Sequence, residues 1–212
     1  MALVIGAGPG IGRSLASQLA AAGHPVALIA RSAEHLEALA AQLSADGAEV
    51  ITRQADAGDA GKLADVVTAL RDEAPIGVLA YNAMYAAGQL ATADLGDLRS
   101  SLEVNLVSAI AATQAALPDL EAAGGSVLLT GGGLALYPNN EYGVLSVGKA
   151  ALRTAALALA ADLAPRGVRV RTLTIAGFVA PGTAFDPDRI AARLIGLADG
   201  DEVEVVYQGE PD

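Results

Sequence analysis

Four glycines within seven positions, Gly6-Ala7-Gly8-Pro9-Gly10-Ile11-Gly12, are the first residues of this chain with an evident chemical use. They follow the apolar run Ala2–Ile5 and precede Ile11, Leu15 and Leu19, spaced as on one helix face. Strand, glycine turn and helix start in that order bring free backbone N–H groups and a helix dipole to one point, where a pyrophosphate can be held. Glycine permits both the tight turn and the close approach of a ligand to the backbone. A purely structural strand-to-helix turn is the alternative reading.

Lys149 is the second such residue. It lies in the helical pattern Val144–Ala164 with Leu145 four places before it, so both side chains share a helix face. The chain has only two lysines against eleven arginines, which gives this one weight; taken alone it reads as a solvated charge on an amphipathic helix. Arg31, followed by Ser32, is the third, at the end of the apolar run Pro25–Ala30. An acid at such a turn would meet a ribose 2′-hydroxyl, whereas a guanidinium forks onto a 2′-phosphate. Arg31 and Ser32 therefore favour NADP(H) over NAD(H), a solvated arginine being the alternative, and Arg13 is a further candidate for the phosphates.

These residues need a frame, and the rest of the pattern supplies one. After Ala2–Ile5, the runs Pro25–Ala30, Ala48–Gln54, Ile76–Tyr81, Ser126–Thr130, Val168–Ile175 and Glu202–Tyr207 read as strands. Between them Ile11–Ala22, the stretch from the N-cap Ser32 to Gly47, Ala60–Glu73, Asp94–Leu117, Val144–Ala164 and Asp188–Leu197 read as helices. Gly23 and Gly47 stop two of them, Pro118 ends the fourth, and Pro165 with Gly167 closes the fifth. Such alternation implies an α/β fold: a doubly wound, Rossmann-like parallel sheet of seven strands in a single domain over residues 1–212.

Composition narrows the chemistry further. The 212 residues are 53% apolar with no cysteine, so a disulfide framework, a thiolate nucleophile and cysteine zinc sites are excluded. Two histidines, His24 and His35, cannot make a zinc site alone, and no metal is expected. A net charge of −11 opposes a polyphosphate, so nucleic acid is not an expected partner. Every apolar run is broken well before the ~20 residues of a membrane helix, and Met1-Ala-Leu-Val-Ile has no basic leader. The expectation is a cytoplasmic protein with no membrane association.

Gly6-x-x-x-Gly10-x-Gly12 is the spacing of short-chain dehydrogenase/reductases, and the chain resembles that family over nearly its full length. The resemblance also rests on Asp56 in Ala55-Asp56-Ala57, Asn82-Ala83, Asn105 in Val104-Asn105-Leu106, Lys149 in Gly148-Lys149-Ala150, and Gly177. It implies that Asp56 and Ala57 flank an adenine, Asn82 and Ala83 the ribose, and Gly177 the nicotinamide. Read singly, Asp56 is also a loop carboxylate, Asn82 a turn residue and Asn105 a helix-interior amide bonded to backbone. The resemblance further assigns Asn105 and Lys149 to the catalytic set, with Lys149 also a ribose contact, and implies a homodimer or homotetramer built on the two long helices.

In working members of that family a tyrosine four residues before the lysine donates the proton and an upstream serine polarises the carbonyl. Leu145 and Gly132 occupy those positions here, so standard carbonyl or alcohol chemistry is in doubt. Tyr142 lies about 10 Å along the helix axis from Lys149 at 1.5 Å per residue, too far for direct coupling. Tyr137, Tyr81 and Tyr85 remain as replacements from loops or as pocket walls. Two functions stay open: an NADP(H)-dependent oxidoreductase acting on a small, mostly apolar substrate, and a non-catalytic NADP(H)-binding redox sensor or regulatory protein. Phe178-Val179-Ala180-Pro181-Gly182-Thr183 resembles the family's mobile flap, with Ala176 where the family usually has proline.

Overall fold

The computed structural model describes residues 1–209. Seven parallel strands form one sheet: β1 (Ala2–Ile5), β2 (Val26–Ala30), β3 (Val50–Gln54), β4 (Val78–Tyr81), β5 (Ser126–Gly132), β6 (Arg169–Ile175) and β7 (Glu204–Tyr207). Their spatial order is β3-β2-β1-β4-β5-β6-β7. The chain winds outward from β1 in one direction, returns, and winds outward from β4 in the other. Registers such as Ile5 beside both Ile29 and Tyr81 align the carboxyl ends of β1, β2 and β4. The crevice between β1 and β4 is thus the switch point at which doubly wound sheets bind ligands.

Helices α1 (Ile11–Ala21), α2 (Ala33–Ala45) and α7 (Pro187–Gly196) cover one face, while α3 (Ala60–Arg71), α5 (Ser108–Ala123) and α6 (Gly143–Leu163) cover the other. Strand residues divide accordingly: Leu3 and Ile5 enter the core under α3, α5 and α6, and Ala2 and Val4 the core under α1, α2 and α7. A strand buried on both sides has no polar alternation, which is why β1 reads as a continuous apolar run.

Predicted element ends agree with the structure to within one or two residues, with one substantive correction. The helix expected over Asp94–Leu117 is three pieces: α4 (Leu95–Leu102) capped by Asp94, a π-helical segment (Glu103–Val107), and α5, which runs through Pro118 to Ala123. Pro118 does not end it. An interior proline costs roughly 3 kcal/mol, but the turn it would have removed carries Leu120, fully buried, and Asp119, which accepts from Arg71 and from the Ile76 amide. Gly124, in the left-handed region at φ 59°, stops the helix instead. The π segment leaves the Val104 carbonyl free to accept the Tyr81 hydroxyl at 2.5 Å.

A second correction concerns apolar length. Residues Gly143–Arg166 form a helix long and apolar enough to cross a membrane by length and composition, with mean hydropathy 1.4. In the fold it is a core helix lying on β5 and β6, with Leu152, Ala156 and Leu163 in the core.

Candidate active site

The glycine turn is built by contacts only glycine tolerates. Gly6, at φ 82°, faces Asn82 and Ala83 so closely that a Cβ would stand 2.5 Å from the Ala83 amide nitrogen. Gly12 lets the first turn of α1 settle onto the Gly6 carbonyl, which a methyl group there would overlap. Gly10, at φ 87°, begins α1 with no side-chain cap and no acidic residue in the first turn. The helix end that sequence spacing marked for phosphates is therefore uncapped by the chain itself. Open space surrounds the Cβ directions of Gly8 and Gly10.

Around this turn lies a cleft of about 560 Å³ bordered by Gly6, Gly8, Arg31, Ser32, Asp56 and Ala57, and further by Asn82 and Ala83. Ser32 caps α2 by accepting from the His35 amide, and Arg31 stands exposed at the rim. Asp56 is fixed by accepting from the Gly58 amide, and the Ala57 carbonyl accepts from the Ser108 hydroxyl at 2.6 Å. Asn82 donates its side-chain amide to the Gly6 carbonyl at 3.0 Å, tying the end of β4 to the turn. Arg13 is exposed and lies outside the lining. Tyr85, read from the sequence as a replacement acid or a pocket wall, borders this cleft; sequence reasoning missed His35, which borders it too and follows Ser32 by three residues, a spacing a capping analysis could have used.

A second cleft, about 590 Å³, adjoins the first at Asn82 and Met84, which border both. Its walls are chiefly apolar: Ile11, Leu134, Leu145, Ile175, Phe178 and Val179. Lys149 reaches it from α6, buried, with Nζ donating to the Thr130 carbonyl at 2.8 Å. Burial without a counterion lowers its pKa to about 8. Gly132 borders the same cleft beside the Lys149 stem, and Leu145 lies buried in its wall. Gly177 lines it too, with the Phe185 ring packed on its open side and braced edge-on by Tyr207 at 5.7 Å between centroids.

Asn105 does not line either cleft. Fully buried in the π segment, it donates Nδ2 to the Ser101 carbonyl at 2.9 Å and the Tyr85 carbonyl at 3.0 Å. It braces the loop after β4 from behind the site. Among the tyrosines, Tyr81 is buried with its hydroxyl committed to Val104, and burial pushes its pKa up. Tyr85 donates to Asp97 at 2.5 Å, and that bond raises its pKa. Only Tyr137 and Tyr142 reach the apolar cleft, at its outer rim.

Comparison with known proteins places this arrangement. A model described as short chain dehydrogenase matches residues 1–187. The whole chain is 30% identical to part of a glycine betaine reductase of Emericella nidulans, covering 16% of that protein. It is 29% identical over 181 residues to dehydrogenase/reductase SDR family member 4 of Homo sapiens, covering 82% of this chain and 64% of that one. The chain thus spans less than two thirds of the length of these curated relatives. The crystal structure of a metagenomic short-chain oxidoreductase in complex with NADP superposes with a TM-score of 0.89 at 26% identity, covering 99% of this chain and 97% of that one. By the match over residues 1–187 and the fold that carries it, the chain belongs to the short chain dehydrogenase family.

Proposed function

We propose that the protein is an NADP(H)-dependent oxidoreductase acting on a mostly apolar carbonyl or alcohol substrate. The observation that carries this reading is the junction at Asn82 and Met84, where a cleft formed around an uncapped glycine turn runs into an apolar cleft containing Lys149. The residues fit a dinucleotide: the glycine contacts leave a cradle for a diphosphate, Asp56 and Ala57 border the adenosine end, and Asn82 and Ala83 stand at the crossing of the sheet. Arg31 and Ser32, with no acid at that turn, support a 2′-phosphate, in keeping with the NADP bound to the metagenomic relative. Bound there, a nicotinamide supplies or accepts a hydride. The turn and Gly177 would orient it, buried Leu145 keeps the inner wall of the adjoining cleft apolar, and Lys149 in that cleft would meet the ribose.

Leu145 supports the alternative reading, a redox sensor that binds NADP(H) without turnover, because the wall where the family places its acid is hydrocarbon. The test is direct. NADPH should raise the melting temperature, and a panel of apolar ketones and diones should consume absorbance at 340 nm; stabilisation with no turnover on any panel member would favour the sensor. We also propose a homodimer or homotetramer in the cytoplasm, without nucleic-acid or membrane partners, assembled through α4, the π segment and α6, where Leu95, Val107 and Leu157 are exposed.

A further inference from the structure

The apolar cleft holds three titratable side chains among the described residues, and their placements differ. Tyr137 is 71% exposed and Tyr142 37% exposed, and neither hydroxyl makes a hydrogen bond within the described chain. Lys149 is 6% exposed, and its Nζ uses one N–H on the Thr130 carbonyl. The other two find no acceptor among the described residues. Gly132 adds no side chain beside the Lys149 stem, where even a Cβ would come only to ordinary contact at 3.4 to 3.5 Å. Leu145, one turn before it, offers no competing donor.

Among the described residues no carboxylate balances the ammonium. On α6 the next charge, Arg153, is paired with Glu204. From β5 the neighbour is Thr130, and β6 presents Ile175 to the cleft. The α4 and π-segment residues packed against α6 are Ser101 and Asn105, with Glu103 turned to the Ala60 amide. Beyond α6, Arg166 pairs with Glu121. An uncompensated, buried ammonium binds its proton weakly, and its pKa near 8 falls within the range of an effective general acid.

We propose, resting on the oxidoreductase reading above, that Lys149 itself is the proton donor to the substrate oxygen, in the role a phenol would otherwise fill. In the reductive direction hydride from the dihydronicotinamide bonds to the carbonyl carbon, which is reduced as the nicotinamide is oxidised. The C=O π pair moves onto oxygen. One N–H bond of the Lys149 ammonium breaks, its proton bonds to that oxygen, and the pair remains on Nζ. Solvent returns a proton to the amine after the alcohol leaves.

The experiment compares the wild type with Lys149→Arg, Lys149→Met and Tyr137→Phe/Tyr142→Phe, using 1-phenyl-1,2-propanedione and NADPH in single turnovers from pH 6 to 10.5. The wild-type rate should fall as pH rises through about 8. Lys149→Arg, which keeps a charge and donors but does not release its proton, should bind NADPH within about tenfold and lose about 10²–10⁴-fold in rate. The tyrosine double variant, which removes hydroxyls from the cleft rim only, should keep the pH profile. A readout independent of turnover is available because Lys62 and Lys149 are the only lysines. With lysine labelled at 15Nζ and NADP bound, one resonance, absent from Lys149→Met, should titrate near 8, and that of the exposed Lys62, whose pKa its bond to Asp59 raises, at higher pH.

NADPH binding and turnover with a profile unchanged in Lys149→Arg, or lost in the tyrosine double variant, would overturn the proposal and leave the oxidoreductase reading standing. A Lys149 resonance titrating above 10 in an enzyme whose rate falls near 8 would also overturn it. NADPH binding with no turnover of the dione or of any other panel member would remove both.

Discussion

The amide nitrogen of Ala83 stands 2.5 Å from where a Cβ on Gly6 would be, so the end of β4 and the glycine turn after β1 touch backbone to backbone. Gly6→Ala adds this overlap to a φ of 82°, a left-handed conformation that side chains disfavour. The variant should lose about 1–3 kcal/mol of stability and at least tenfold in NADPH affinity, measured by urea unfolding and fluorescence titration. Gly8→Ala, whose Cβ meets nothing within 4 Å, should leave stability nearly unchanged.

Cofactor choice should follow Arg31. Its exposed guanidinium at the cleft rim can form charge-assisted bonds to a 2′-phosphate, each worth about 1.5–3 kcal/mol. Arg31→Asp should weaken NADPH by about 10–100-fold and improve NADH; an unchanged preference on titration would show that Arg31 does not read the ribose.

The cleft has room for the missing pair. A Cβ at position 132 makes ordinary contact with the Lys149 stem, and Leu145 lies on the face of α6 that lines the cleft. Leu145→Tyr with Gly132→Ser should raise carbonyl reduction by about 10²-fold or more, the size of a general-acid contribution. No gain in kcat/KM across the ketone panel would mean that more than these two groups has changed.

Stability should carry the signature of Lys149. Its pKa is lowered from 10.5 to about 8 in the folded protein, so between those values the unfolded chain holds more protons than the folded one. Stability attributable to this group therefore rises with pH from about 8 toward 10.5, and the full penalty, on the order of 3 kcal/mol, applies below 8. Urea unfolding of wild type relative to Lys149→Met should show this rise. A constant difference across that range would contradict the burial cost.

Assembly is checked by light scattering. Wild type should be a dimer or tetramer, and Val107→Glu with Leu157→Glu, both at exposed positions, should shift it toward monomer without lowering the melting point of the folded unit. A wild-type monomer would contradict the expectation.

Particular residues show what the chain disclosed before it was folded. Apolar runs such as Ala2–Ile5 and Val26–Ala30 alternate with helical spacings, and this order alone implied a parallel sheet covered on both faces; periodicity is a local property, written along the chain. The glycines at 6, 10 and 12 were legible because their spacing at a strand-to-helix turn is local, although the contact between Gly6 and Ala83 that makes glycine necessary is not. Leu145 and Gly132 could be set against Lys149 by counting along the chain alone.

Other properties depended on residues far apart in sequence. Pro118 looked like a stop because a local rule weighs one lost hydrogen bond; only the folded core shows Leu120 and the Arg71–Asp119–Ile76 contacts that outweigh it. Asn105 could be read as an active-site amide or as a helix-interior amide bonded to backbone, and only the tertiary structure shows its bonds to the Tyr85 and Ser101 carbonyls. Tyr81 sits in sequence beside the substrate end of its strand, yet its ring points into the core, because alternate strand residues face opposite sides and this one meets Val104. The burial of Lys149 without a counterion could not be read from its helix either. Desolvation and electrostatic partners are sums over everything that surrounds a group, and the carbonyl that meets this nitrogen, that of Thr130, comes from β5 rather than from its own helix.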